Sequence, residues 1–280
     1  MAGDCAAAAM LEIRHIRSLD LPELAPYRTL RRNAEHQRER IFVAEGEKVL
    51  RRLLESDFAV VSALLTGKWL EELTPLLHAR PEKIPVFVAP MAELEKLTGF
   101  PLFQGALAVG RAPEPQSLSS VLAKSPQPHL LVAVEGLTNA ENMGVLIRNC
   151  AAFGVQALIV GETCSAPYLR RSVRNSMGTI FKLPVVETLS LVQVLRELRE
   201  RGVACIAAHP HTHQLALPRC DLTRSCCIVL GSEGYGLSQT VRDSCDFSAV
   251  IPMANSVDSL NVGNAGAVFL YEANRQRHWT

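Results

Sequence analysis

Two loops in this 280-residue chain carry residue types and spacings suited to holding a small polar ligand. The first lies in Ile228–Ser238, IVLGSEGYGLS, where Gly231, Gly234 and Gly236 follow an apolar run. Glycine there permits positive φ and lets backbone amides approach a ligand closely. The second lies in Ile251–Val262, IPMANSVDSLNV, and repeats the pattern of apolar run, then small and polar residues. Two strand-end loops so near in sequence can wall one pocket. A last helix then begins near Ser259-Leu260-Asn261 and runs to Ala273. Read singly, Glu233 fits a plain exposed acid, and Ser259 and Asn261 fit capping residues of that helix.

Upstream stands a third segment, Asn142-Met143-Gly144-Val145-Leu146-Ile147-Arg148, within LVAVEGLTNAENMGVLIR. On its own it fits a helix N-cap at Asn142 and an ion-paired Arg148. Taken together, Asn-x-Gly-x-x-x-Arg, GSEGxGLS and IPM…SLNV resemble, in order, the three motifs of the SpoU/TrmH branch of SPOUT RNA methyltransferases. The resemblance implies S-adenosylmethionine as cofactor and methylation of an RNA ribose 2′-hydroxyl. It implies catalytic positions at Asn142, Arg148, Glu233, Ser259 and Asn261, with Glu233 near Arg148, and donor contacts through the backbone of Gly231, Ile251 and Leu260. It also implies a homodimer and a C-terminal trefoil knot, although general chain-topology rules make knots essentially absent. The matching arginine is proposed in the family to activate the ribose hydroxyl. A guanidinium with a pKa above about 12 is a poor base, and stabilising the developing alkoxide or clamping the phosphate is the other role open to it. Two positions depart from the family pattern. Asn255 stands where glycine is common, and Gly263-Asn264 replaces a small-residue pair.

The elements that must position these residues follow from periodicity. Strands are expected at Leu130–Val134, Ala157–Val160, Leu183–Val186, Ala204–Ala207, Cys227–Leu230 and Ala249–Ile251. Helices fit between them, with Leu191–Glu200 the clearest and Gly202 its stop. The alternation predicts an α/β fold with a parallel sheet flanked by helices. Residues 12–55 read as mostly helical and basic, apart from a short strand at Ile41–Ala44. Further strands at Val60–Leu65, Ile84–Val88 and Ala106–Val109 make a small α/β unit. Its FVAEGEKVL and GFPLFQGALAV resemble the ribosomal-protein-like substrate-binding domain that precedes many SpoU domains. The expected organisation is therefore an RNA-binding domain over 1–112, a Pro- and Ser-rich linker over 113–128 and a methyltransferase domain over 129–280.

Composition bounds the rest. Net charge is +1, so RNA contact must come from local patches. Arg28, Arg31 and Arg32 begin one such patch, which reads equally as a phosphate-contacting face or a solvated helix balanced by glutamates. Arg170 and Arg174, in YLRRSVRNSMGTIF, resemble a family segment and are read as RNA-facing. Eight cysteines without a CxxC pair indicate reduced thiols and a cytoplasmic setting. No apolar run is long enough to span a membrane, and residues 2–9 read as a frayed start rather than a leader. His209, His211 and His213 alternate, but no partner sits at ligand spacing, so a loop near the pocket is expected and no metal. The glycine spacing is wrong for a dinucleotide fold, and no phosphate-binding Gly-x-x-x-x-Gly-Lys-Ser/Thr loop exists. The expected function is 2′-O-ribose methylation of structured RNA, ribosomal before transfer RNA. A catalytically silent RNA-binding protein of the same fold is the remaining alternative.

Overall fold

Runs of aliphatic and β-branched residues set the strands of two sheets, in a computed structural model that describes residues 11–98, 105–255 and 257–278. The expected frayed start at 2–9 and Gly99–Gln104 of GFPLFQGALAV lie outside the described residues. The chain divides into two compact units.

The first unit takes the chain up to Pro113 together with Tyr168–Phe181. Its strands are β1 (Glu12–His15), β2 (Ile41–Glu45), β3 (Val60–Leu65), β4 (Pro85–Val88) and β5 (Ala106–Arg111). They form a sheet in the order β1-β4-β3-β5-β2. β1 and β3 run parallel to β4, and β5 runs antiparallel to β2 and β3. The expectation of helix from residue 12 is corrected at β1. Glu-Ile-Arg-His pairs along β4, and that ladder outweighs a weak local preference. Of the basic stretch, Arg28 and Arg38 stand on the short helices Ala25–Arg28 and Asn33–Arg38, whereas Arg31, Arg32 and Arg40 lie outside them. The Tyr168–Phe181 segment joins this unit through rings: Phe42 stacks on Tyr168 and Phe181, with centroids 6.0 and 5.4 Å apart.

The second unit takes Glu114–Pro167 and the chain from Lys182 onward. Its strands are β6 (Leu130–Val134), β7 (Ala157–Val160), β8 (Val185–Glu187), β9 (Ala204–Ala208), β10 (Leu215–Ala216), β11 (Cys226–Leu230) and β12 (Phe247–Val250). The sheet order is β10-β12-β9-β11-β6-β7-β8, and every pairing is parallel. β6 and β11 are buried along their whole length, as central strands covered on both faces must be. The expected linker carries a helix, Leu118–Lys124, capped by Ser117, whose Oγ accepts the Ser120 N–H at 3.2 Å. Leu118, Val121 and Leu122 bury against the core of the second unit, while the prolines stand outside the helix at both ends of the segment. The last helix runs from Val262 to His278 and packs on the helix Ala140–Ala152. Gly263 and Gly266 make that approach possible. A β-carbon at Gly263 would lie 2.6 Å from Val145 Cγ1, and one at Gly266 would lie 2.7 Å from Leu146 Cδ1. The Gly263 departure from the family pattern is thus a helix-to-helix contact within one chain.

Candidate active site

All motif residues of the second unit leave the sheet at the carboxyl ends of its strands, where the strand order reverses and open α/β sheets form their crevice. β6 feeds the helix Ala140–Ala152, which bears Asn142, and β11 feeds the glycine loop. β12 feeds the loop from Ile251, and β9 feeds His209. The ends of β6 and β11 are locked together. Glu135 N–H donates to Leu230 O at 3.0 Å, and Ser238 N–H donates to Glu135 Oε2 at 2.7 Å.

Three side chains from the three motifs meet there. Asn142 Nδ2 donates to Glu233 Oε1 at 2.5 Å. Asn261 Nδ2 donates to the same oxygen at 2.6 Å and to Asn142 Oδ1 at 3.2 Å. Asn261 Oδ1 in turn accepts the Gly263 N–H at 2.9 Å, capping the last helix. Asn142 is not itself the cap of its helix. Asn139 does that work, accepting the Glu141 and Asn142 N–H groups at 2.8 and 3.2 Å. The sequence reading missed Asn139, although an asparagine just ahead of Ala140-Glu141 is a recognisable start signal. Glu233 Oε2 makes no hydrogen bond among the described residues, which leaves one carboxylate oxygen open beside two fixed amides.

Glu233 also helps to wall a cavity of about 260 Å³. Gly231, Ile251, Ser259 and Leu260 line it as well. His209, His211, Tyr235, Met253 and Phe269 complete much of the wall. The glycine loop is shaped by close approach: a β-carbon on Gly231 would lie 2.2 Å from the Gly236 carbonyl carbon. Ser232 and Gly236 exchange backbone hydrogen bonds at 3.1 and 2.9 Å, and Gly236 takes φ +66°. Asn255 has φ +55°, the left-handed region that glycine fills freely and asparagine tolerates best among the rest. The departure from glycine there therefore keeps the backbone geometry. Burial lowers the affinity of the His209 imidazole for a proton, and Arg242 and His211 add to this. His213 is not among the lining residues, and no metal-holding cluster occurs among the described residues. The seven described cysteines are free, and burial pushes Cys226 up to about 11 and Cys245 up to about 12. These thiols stay protonated and are poor nucleophiles or metal ligands.

Arg148 stands outside this set. It lies six residues beyond Asn142 on the same helix, exposed, with no hydrogen bond or ion pair to any described residue. It is not bonded to Glu233, which the resemblance placed near it.

In the first unit, Arg28, Arg31 and Arg32 are exposed. Arg28 donates to the Leu19 and Leu21 carbonyls, and Arg32 pairs with Glu35 at 3.0 Å. Arg170 and Arg174 converge on Glu45, which is 7% exposed. Arg170 is itself only 14% exposed, and its buried Nε has no partner. That placement makes it the counter-ion of a buried carboxylate, while Arg174, at 48%, keeps an open side.

Residues 129–271 match the SpoU rRNA Methylase family. Over 276 residues the chain is 32% identical to an uncharacterized tRNA/rRNA methyltransferase of Mycobacterium tuberculosis, covering 96% of this chain and 94% of that one. Over 161 residues it is 40% identical to the 23S rRNA (guanosine-2'-O-)-methyltransferase RlmB of Vibrio cholerae, covering 57% and 64%. Its fold matches the SpoU methyltransferase AviRb from Streptomyces viridochromogenes in complex with the cofactor AdoMet. That match has a TM-score of 0.79 at 26% identity over 93% of this chain and all of that one. No described helix is long and apolar enough to cross a membrane.

Proposed function

Because the chain belongs to the SpoU rRNA methylase family and is an RNA methyltransferase of the SpoU class, we propose that it methylates ribose 2′-hydroxyls using S-adenosylmethionine. The observation that carries this reading is the double role of Glu233, at once a wall of the cavity and the acceptor for Asn142 and Asn261. The cavity suits the cofactor. Leu230, Ile251, Leu260 and Phe269 offer apolar surface for an adenine ring, and the glycine loop offers backbone groups for its polar edges. A side chain at Gly231 would collide with the loop itself. The bound cofactor would supply an electrophilic methyl group, and the remaining work is positioning and charge stabilisation.

In this reading Asn142 and Asn261 hold the Glu233 carboxylate in one orientation, and its free oxygen can accept a ribose hydroxyl. Arg148, without a side-chain partner among the described residues, is open to an RNA phosphate or a developing alkoxide. Ribosomal RNA is the favoured substrate, supported by the 23S-modifying relative. A homodimer, a trefoil knot in the second unit and a reduced, cytoplasmic setting belong to the same proposal.

The test is transfer of labelled methyl from S-adenosylmethionine to RNA taken from cells that lack the gene, followed by nucleoside analysis. The expected product is a nucleoside with an unmodified base whose 3′ phosphodiester resists alkali. A base-methylated nucleoside would reject the ribose assignment.

A further inference from the structure

Tyr235 is 97% exposed, yet it lines the cavity. Its setting is a built one. Ser232 and Gly236 close the loop with two backbone hydrogen bonds, and Ser232 Oγ accepts the Tyr235 N–H at 3.1 Å. Gly234 and Gly236 flank the ring, and a β-carbon at either would meet nothing within 4 Å. The loop therefore holds a tyrosine backbone in place while leaving both faces of its ring to solvent. Isolated exposed apolar residues are common and need no explanation. This one stands two residues from Glu233, whose carboxylate is held by Asn142 and Asn261.

Proteins that read single-stranded RNA commonly splay a nucleotide out of its stack and hold its base on an aromatic face. We propose that Tyr235 is the surface on which the target nucleobase stacks while its ribose meets the Glu233 set. This rests on the RNA methyltransferase reading and adds a substrate-positioning residue to it. Stacking needs only a π-face, so the ring acts without hydrogen-bond readout and tolerates several bases. The phenolic hydroxyl is dispensable.

The test compares wild type, Tyr235→Ala and Tyr235→Phe in the full-length protein. It measures steady-state methylation of the same RNA and, separately, S-adenosylmethionine affinity by calorimetry. Tyr235→Ala should raise KM for RNA about tenfold or more, the scale of removing one base–aromatic stack. Because Tyr235 also borders the cavity, any loss of cofactor affinity should be well below the loss for RNA, and Tyr235→Phe should restore the wild-type KM. An unchanged KM in Tyr235→Ala overturns the inference. So does an equal loss of cofactor affinity, which would make the ring part of the cofactor pocket, and so does failure of phenylalanine to rescue. A wild-type protein that methylates no RNA overturns the underlying reading, and this inference with it.

Discussion

In the proposed mechanism Arg148 and Glu233 divide the labour at the residue scale. Glu233 is fixed by two amides inside one chain, whereas the Arg148 side chain has no partner among the described residues. A group that acts only when substrate arrives should affect turnover and leave cofactor binding alone. Arg148→Ala is thus expected to lower kcat by at least about 100-fold, the scale of removing one electrostatic stabiliser from a transition state. Its S-adenosylmethionine affinity should stay near wild type, as calorimetry would show. Near-normal turnover would remove Arg148 from the mechanism. Gly231→Ala is the contrasting case. Its β-carbon would meet backbone 2.2 Å away, where no side chain can swing aside. Overpacking of this kind costs about 1–3 kcal/mol, so the variant should lose cofactor binding and melt several degrees lower in calorimetry. A variant that binds cofactor normally would show that the loop opens freely.

At the scale of elements, the two packed helices Ala140–Ala152 and Val262–His278 set the geometry of the polar trio. Asn142 stands on one, and Asn261 caps the other. Gly263 and Gly266 let them approach, against Val145 and Leu146, and Asn149 Nδ2 pins the Gly263 carbonyl at 2.7 Å. Gly263→Val should force the helices apart, costing about 1–3 kcal/mol and pulling Asn261 away from Glu233. The expected result is a lower melting temperature together with reduced kcat. Unchanged activity in a destabilised variant would separate helix packing from the site.

At the scale of the whole molecule, the basic patch of the first unit is testable by substitution and not by truncation. Tyr168–Phe181 belongs to the same compact unit, so deleting residues 1–110 would strip Phe42 from Tyr168 and Glu45 from Arg170. Replacing Arg28, Arg31 and Arg32 with glutamine leaves that core intact. If the patch neutralises phosphates, RNA affinity should weaken alike across sequences. The salt slope should then become shallower by about 0.7–0.9 for each phosphate left without its arginine. An unchanged slope would mark the patch as a solvated face. The proposed dimer has its own support: Val268 and Tyr271 are 38% and 49% exposed on a helix whose other face is buried. A symmetric twofold pair is the commonest oligomer and could cover them. Mass and activity measured together across dilution should fall together, and a fully active monomer would refute the pairing.

The order of residues along the chain was enough for the parallel sheet and the two ligand loops. Those depend on short-range rules: an apolar run makes a buried strand, and glycine makes a tight loop after it. It was enough also for the three motifs, whose spacing is itself a local property. It misread β1, whose pairing lies on β4, and it did not show the helix Leu118–Lys124 within the expected linker, which is held by burial against a distant sheet. It did not show that Arg170 pairs with the buried Glu45. Only folding put Asn142 beside Asn261, 119 positions apart, and both on one oxygen of Glu233. Hydrogen bonds across such separations are chosen by how helices pack, here through Gly263 and Gly266, whose close approach to Val145 and Leu146 no local pattern shows.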